Sequence, residues 1–163
     1  MILFENTTDY KTFMLYVIEH LLSYPSLQIV AYCILPDHFH FILKNKYQWF
    51  DISEFMRKLQ VSYAMYFKRK HTDNEQLKWI PVFSWRFKAH KIENDEELKH
   101  FEWYVNYNAI NHKLVENIDD WPYCSIHQLV TTTYNYLQQT HIKVYNDWKK
   151  IQKSTALMAE LEG

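Results

Sequence analysis

Glycine occurs once in the 163 residues. A chain with a single glycine has no glycine-rich phosphate loop, so neither G-x-G-x-x-G nor a Walker sequence is present. Cysteine occurs twice, as Cys33 and Cys124. That is too few, and too far apart, for a disulfide framework or a Cys-rich zinc site. Nothing resembles a signal peptide, and the longest apolar stretches are broken by polar residues well short of a membrane span. The expected location is the cytoplasm, with no membrane partner. An excess of positive charge is also missing. The formal net charge is -1, so overall charge does not announce a nucleic-acid binder.

What is abundant is apolar and aromatic material. Hydrophobic residues make up 48% and aromatics 18%, enough for one folded core. Charge is distributed in runs. From Glu54 to Asp73 no acidic residue intervenes, while Arg57, Lys58, Lys68, Arg69 and Lys70 all occur. From Glu75 to Glu93 lie Lys78, Arg86, Lys88 and Lys91, again without an acid. Such runs are commonly solvated faces. Here they are interleaved with Tyr63, Tyr66, Phe67, Trp79, Phe83, Trp85 and Phe87. Basic side chains that track phosphates, beside rings that stack bases, suit single-stranded nucleic acid.

Residues 8 to 24 place Tyr10, Phe13, Met14, Val17, Ile18, Leu21 and Leu22 at helical spacing, behind possible N-caps at Asn6, Thr7 and Thr8. Pro25 ends that helix. Gln28 to Leu35 reads as a buried strand and His38 to Leu43 as a second. The turn at Pro36-Asp37 makes them an antiparallel hairpin. Residues 51 to 70 return to helical period. Phe83 to Ile92 is expected to form a third strand. Asn94-x-x-Glu97 resembles a capping box and opens a helix to about Ile110. A turn over Asp119 to Tyr123 leads into a helical tail. The chain has no internal repeat or low-complexity segment.

Two short constellations carry chemistry. In Leu35-Pro36-Asp37-His38-Phe39-His40-Phe41 the alternation of a strand puts His38 and His40 on one face and Phe39 and Phe41 toward the core. Two imidazoles on one rigid strand form two legs of a divalent-metal site. A half-exposed strand that merely carries two histidines fits the same spacing. In Trp103-Tyr104-Val105-Asn106-Tyr107-Asn108, Tyr104 and Asn108 are one helical turn apart and share a face. With 13 tyrosines in the chain, the spacing alone reads as a core tyrosine with a polar neighbour.

Taken together, these segments resemble a known family. Ile29 to Lys44 looks like the HUH motif of the single-tyrosine transposases, the insertion-sequence enzymes and their REP-associated relatives. Tyr104 to Val115 resembles the family's tyrosine segment. Asp120-Trp121-Pro122-Tyr123-Cys124-Ser125 resembles its d-w-p-w-S-S. Val82-Phe83-Ser84-Trp85-Arg86-Phe87-Lys88 resembles its v-F-q-x-R-F-k. The likeness is colinear from about Asp9 to Ser125.

The resemblance implies an α+β fold, a ferredoxin-like split βαβ antiparallel sheet with helices on one face, here without the family's usual first strand. It implies a catalytic domain over 1–125 followed by a helical tail over 126–163. His38 and His40 would be metal ligands, Asn108 a third ligand, Tyr104 the nucleophile, and the metal Mg2+ or Mn2+. The expected partner is single-stranded or hairpin DNA, with Arg57, Lys58, Lys68, Arg69, Lys70, Arg86, Lys88 and Lys91 as contacts. The protein would act as a monomer or homodimer. The expected reaction is strand cleavage and transfer through a covalent 5′-phosphotyrosine. A catalytically inactive hairpin-binding relative is the alternative, and a small metal-dependent hydrolase with Tyr104 in its core is a third reading. Asp37 stands where the family usually has Asn and could orient an imidazole. Ala109 replaces the usual Pro and lets the helix continue. His90 reads as a surface histidine near Lys88 and Lys91. The missing first strand would leave ladder groups exposed on its neighbours, and a mis-assigned start, a partner chain or the tail filling the gap, or a decayed copy each fit the sequence.

Overall fold

The computed structural model describes residues 1–45, 49–83 and 86–127. Its main elements run α1 (Thr7–Leu21), β1 (Leu27–Ile34), β2 (Phe39–Asn45), α2 (Trp49–Lys70), α3 (Asp95–Asn106) and α4 (Asn108–Asn111). Most of the expected tail lies outside the described residues, as do Ser84 and Trp85.

The start of α1 is fixed by Asn6, whose side chain accepts a hydrogen bond from the Asp9 N–H. Asn94 does the same for the Glu97 N–H at α3, and Glu97 reaches back to the Glu93 N–H at 2.7 Å. The capping box therefore forms, closing one residue earlier than the standard pattern.

β1 and β2 pair antiparallel, with Cys33 opposite His40 and Ile34 opposite Phe39, and a bulge between Ile29 and Ala31. Alternation divides the hairpin between two layers. Tyr32, Ile34, Phe39 and Phe41 face the core shared with Phe13 of α1 and Phe55, Leu59 and Tyr63 of α2. Phe13 is fully buried, 4.9 Å from Phe39 and 5.2 Å from Tyr63 by ring centroids. Burying a side chain of this size stabilises by roughly 1.5–3 kcal/mol. The helices of the split βαβ core thus lie together on one face. Ala31, Cys33 and Ile42 face the other way, packing with Val105 and Ala109 of α3 and α4. This second layer carries the tyrosine helix.

The outer edge of β1 is closed by residues 121–125. The Ile34 N–H donates to the Tyr123 carbonyl at 2.9 Å and the Tyr32 N–H to the Ser125 hydroxyl at 3.0 Å. The Trp121 indole donates to the Ile34 carbonyl at 3.1 Å. Tyr123 stacks on Tyr10 at 3.8 Å, tying this segment to α1.

The third strand expected over Phe83 to Ile92 does not form: residues 86–92 carry no strand and the described sheet has two strands. A strand needs a neighbour's ladder, whatever its composition. Between β2 and the Phe87–Ile92 segment lies a groove instead, lined by Phe39, Phe41, Leu43, Phe87, Ile92 and Leu98. The helix expected to run to about Ile110 is also interrupted. It breaks at Tyr107 (φ -96°, ψ 12°) and resumes for one turn as α4. Lys113, at φ 57°, then reverses the chain, with its N–H on the Ile110 carbonyl.

Candidate active site

β2 begins at Phe39, so His38 sits at the mouth of the hairpin and His40 one residue inside the strand. Their rings lie 5.1 Å apart, on the face opposite the phenylalanines. Asp37 holds His38 in place, with its carboxylate 2.6 Å from His38 Nδ1. That contact holds the Asp37 carboxyl below the usual carboxylate range. The orienting role read for Asp37 therefore has a geometric basis, and it leaves His38 Nε2 available.

His40 is different. Burial, assisted by His38 and His112, pushes its pKa down to about 4. The ring is therefore neutral near pH 7, as a metal ligand must be. His40 Nε2 is buried and has no hydrogen-bond partner.

Tyr104 projects from α3 toward this pair. Its ring is 5.9 Å from that of His40, at 81°. It is 39% exposed, so the phenol stands at the surface of the site and not within the core. One turn later Asn108 is fully buried, and neither its side-chain oxygen nor its nitrogen has a partner. An unmade hydrogen bond at a buried amide costs about 1–3 kcal/mol. Among the described residues no three His, Cys, Asp or Glu side chains are grouped to hold a metal. His40 Nε2 and the Asn108 amide are the buried polar atoms of these elements that have no partner.

One residue of the site was not singled out in the sequence. The ring of His112 lies 5.0 Å from that of His38. It caps α4, with its N–H on the Asn108 carbonyl. Its signal was spacing: Tyr104, Asn108 and His112 recur every four residues.

The basic candidates divide. Lys88 and Lys91 line the groove that also contains Asp37, His38, His40 and Tyr104. Arg86 and Arg69 are exposed. Lys68 donates to the Lys78 carbonyl at 3.1 Å. Arg57 is engaged by Glu54 at 2.9 Å, and Lys58 lies over the Tyr24 ring. Lys70 is bound to buried Asp9 at 2.7 Å and to Glu5 at 2.6 Å, so it ties α2 to α1. His90 is exposed and pairs with Glu97 at 2.8 Å. No described helix is long and apolar enough to cross a membrane.

Comparison with known proteins shows the family and the fold. The model of the family described as "Transposase IS200 like" matches residues 4–108. A Haemophilus influenzae protein named as a REP-associated tyrosine transposase is 32% identical over 113 residues, covering 64% of this chain and 61% of that protein. The REP-associated tyrosine transposase of Escherichia coli K12 is 26% identical over 122 residues, covering 75% and 67%. A solved REP-associated tyrosine transposase bound to a REP hairpin superposes with a TM-score of 0.63 at 24% identity, over 77% of this chain and 69% of that one. This last likeness supports the fold. The chain spans less than two thirds of the Haemophilus relative's length. With the matched region running from the first core residues through Asn108, the chain belongs to the IS200-like transposase family.

Proposed function

We propose that this chain cleaves and rejoins single-stranded DNA, with Tyr104 as nucleophile and a divalent metal held by His38, His40 and Asn108. The observation that carries the reading is the half-exposed phenol of Tyr104 facing His40, 5.9 Å ring to ring. A tyrosine in the core would serve the metal-hydrolase reading; this one is accessible to a strand.

Tyr104 Oη attacks the scissile phosphorus, forms the Tyr–O–P bond and gives up its proton to water. The P–O3′ bond breaks, its electron pair stays on O3′, and a free 3′-hydroxyl results after protonation. Joining is the reverse step with another 3′-hydroxyl. A phenol with a pKa near 10 is a weak nucleophile at neutral pH. When bound, Mg2+ or Mn2+ would supply Lewis-acid polarisation of the phosphate. His38 is oriented for that ion by Asp37, and His40 is kept unprotonated by burial. The groove beside β2 leads to Tyr104, with Lys88 and Lys91 along it to meet phosphates. The hairpin bound by the structural relative makes a folded-back strand with a single-stranded flank the partner of choice.

The test uses the full-length protein, Mn2+ and a pool of single-stranded oligonucleotides of randomised sequence, with and without a hairpin. A covalent protein–DNA band on a denaturing gel, absent for Tyr104→Phe, supports the reading, and sequencing the trapped DNA identifies the junction. Hairpin binding without any covalent band would instead establish the binding-only relative.

A further inference from the structure

The four rings of the site touch in succession. Tyr104 meets His40 at 5.9 Å, His40 meets His38 at 5.1 Å, and His38 meets His112 at 5.0 Å. The inner two come from the β-hairpin. The outer two come from the α3–α4 segment, which therefore brackets the histidine pair. Tyr104 lies on α3 and His112 caps α4, on either side of the break at Tyr107. Asn108, between them in sequence, is buried.

An in-line displacement at phosphorus puts the entering and departing oxygens on opposite sides. With Tyr104 entering from one end of this succession, the departing oxygen leaves toward the other end. That end is occupied by His112, which is exposed and caps its helix by its backbone alone.

We infer that His112 is a further catalytic residue of this chain, whose ring N–H donates a hydrogen bond to the departing 3′ oxygen. The inference rests on the strand-cleaving reading above. The bonds are those already given: Tyr104 O–P forms, P–O3′ breaks, and O3′ keeps the electron pair while hydrogen-bonded to His112 until it takes a proton from water. In the joining direction the same N–H aligns the incoming 3′-hydroxyl.

The experiment places sulfur at the departing position. Single-turnover adduct formation is measured in Mn2+ with two oligonucleotides carrying the trapped junction, one with the natural 3′ oxygen and one with a 3′-S-phosphorothiolate. Sulfur leaves readily without a hydrogen-bond donor. His112→Ala is expected to slow the oxygen substrate by about 100-fold, the scale of losing one donor to a developing oxyanion, and the sulfur substrate by less than about threefold. His112→Gln, which retains a side-chain N–H, is expected to recover most of the rate. Equal losses on both substrates, or no loss on either, overturn the inference and leave the strand-cleaving reading standing. Absence of an adduct from the unaltered protein with both substrates overturns the two together.

Discussion

Tyr104 of α3 and His40 of β2 meet edge to face at 5.9 Å, joining the two elements that carry the site. The two side chains have separable tasks in the proposed reaction, and their variants should separate accordingly. Tyr104→Phe is expected to keep Mn2+ affinity within about twofold while losing the covalent adduct. His40→Ala is expected to lose both. Calorimetric titration with Mn2+ and the denaturing-gel assay read the two properties. A tyrosine variant that binds metal no better than the histidine variant would place the phenol among the ligands and refute the assignment.

Asp37 contacts His38 Nδ1 at 2.6 Å, although the carboxylate is itself largely exposed. As an isolated surface pair it would contribute little to stability. Its expected contribution is to orientation. Asp37→Ala should lower Mn2+ affinity about 10- to 100-fold with little change in melting temperature, and Asp37→Asn, which still accepts a hydrogen bond, should lose less. A fall in melting temperature that matches the fall in affinity would mean the contact is structural.

The sequence made the local features legible and left the non-local ones hidden. The apolar period of α1, the Asn6 and Asn94 caps and the short Pro36-Asp37 connection act over a few residues, so α1, α3 and the hairpin could be placed. Alternation put His38 and His40 on one face with Phe39 and Phe41 on the other, as observed. The expected third strand is absent because strand-like residues do not by themselves bring a segment to a neighbour's edge: residues 86–92 stand across a groove from β2 and pair with no strand. Lys70 reads as part of a basic run, yet its partner Asp9 lies 61 residues away. His112 was visible only as the third member of a four-residue spacing. Its meeting with His38 depends on how α4 crosses the sheet, which no local pattern specifies.

Asn108 carries a buried, unpaired amide on a packed layer with Val105 and Ala109. A group retained at such a cost is expected to serve function over stability. Asn108→Leu should raise the stability of the metal-free protein by about 1–3 kcal/mol, the cost of leaving the amide unpaired, while weakening Mn2+ binding at least tenfold. Chemical denaturation with and without metal reads both quantities. Unchanged metal affinity would remove Asn108 from the ligand set.

Register predicts which β2 amides are protected. Because the Tyr32 and Ile34 N–H groups point to residues 123 and 125, their partners Phe41 and Phe39 are in the outward-facing phase of the antiparallel ladder. Their N–H groups and that of Leu43 open onto the groove, with no backbone partner there among the described residues. Amide hydrogen exchange should be fast at Phe39, Phe41 and Leu43 and slow at His40 and Ile42. Strong protection at the first three would show that another strand covers this edge in solution.

The buried carboxylate of Asp9 should make the fold acid-sensitive. Burial alone would raise its pKa, but hydrogen bonds from Lys70, Tyr66 and the Glu5 N–H outweigh burial and hold it below the ordinary value. A carboxyl whose pKa is lower folded than unfolded binds fewer protons in the native state. Its stabilisation is therefore fully present above the unfolded value, near 3.8, and is lost as pH falls through the lowered folded value. Asp9→Asn should remove that dependence. It should also leave the Lys70 ammonium with Glu5 as its remaining carboxylate contact, at a cost of several kcal/mol at neutral pH, on the scale of breaking a buried ion pair. Urea denaturation from pH 3 to pH 7 reads both effects. Parallel stability curves for the variant and the natural chain across this range would show that Asp9 is not the group that titrates.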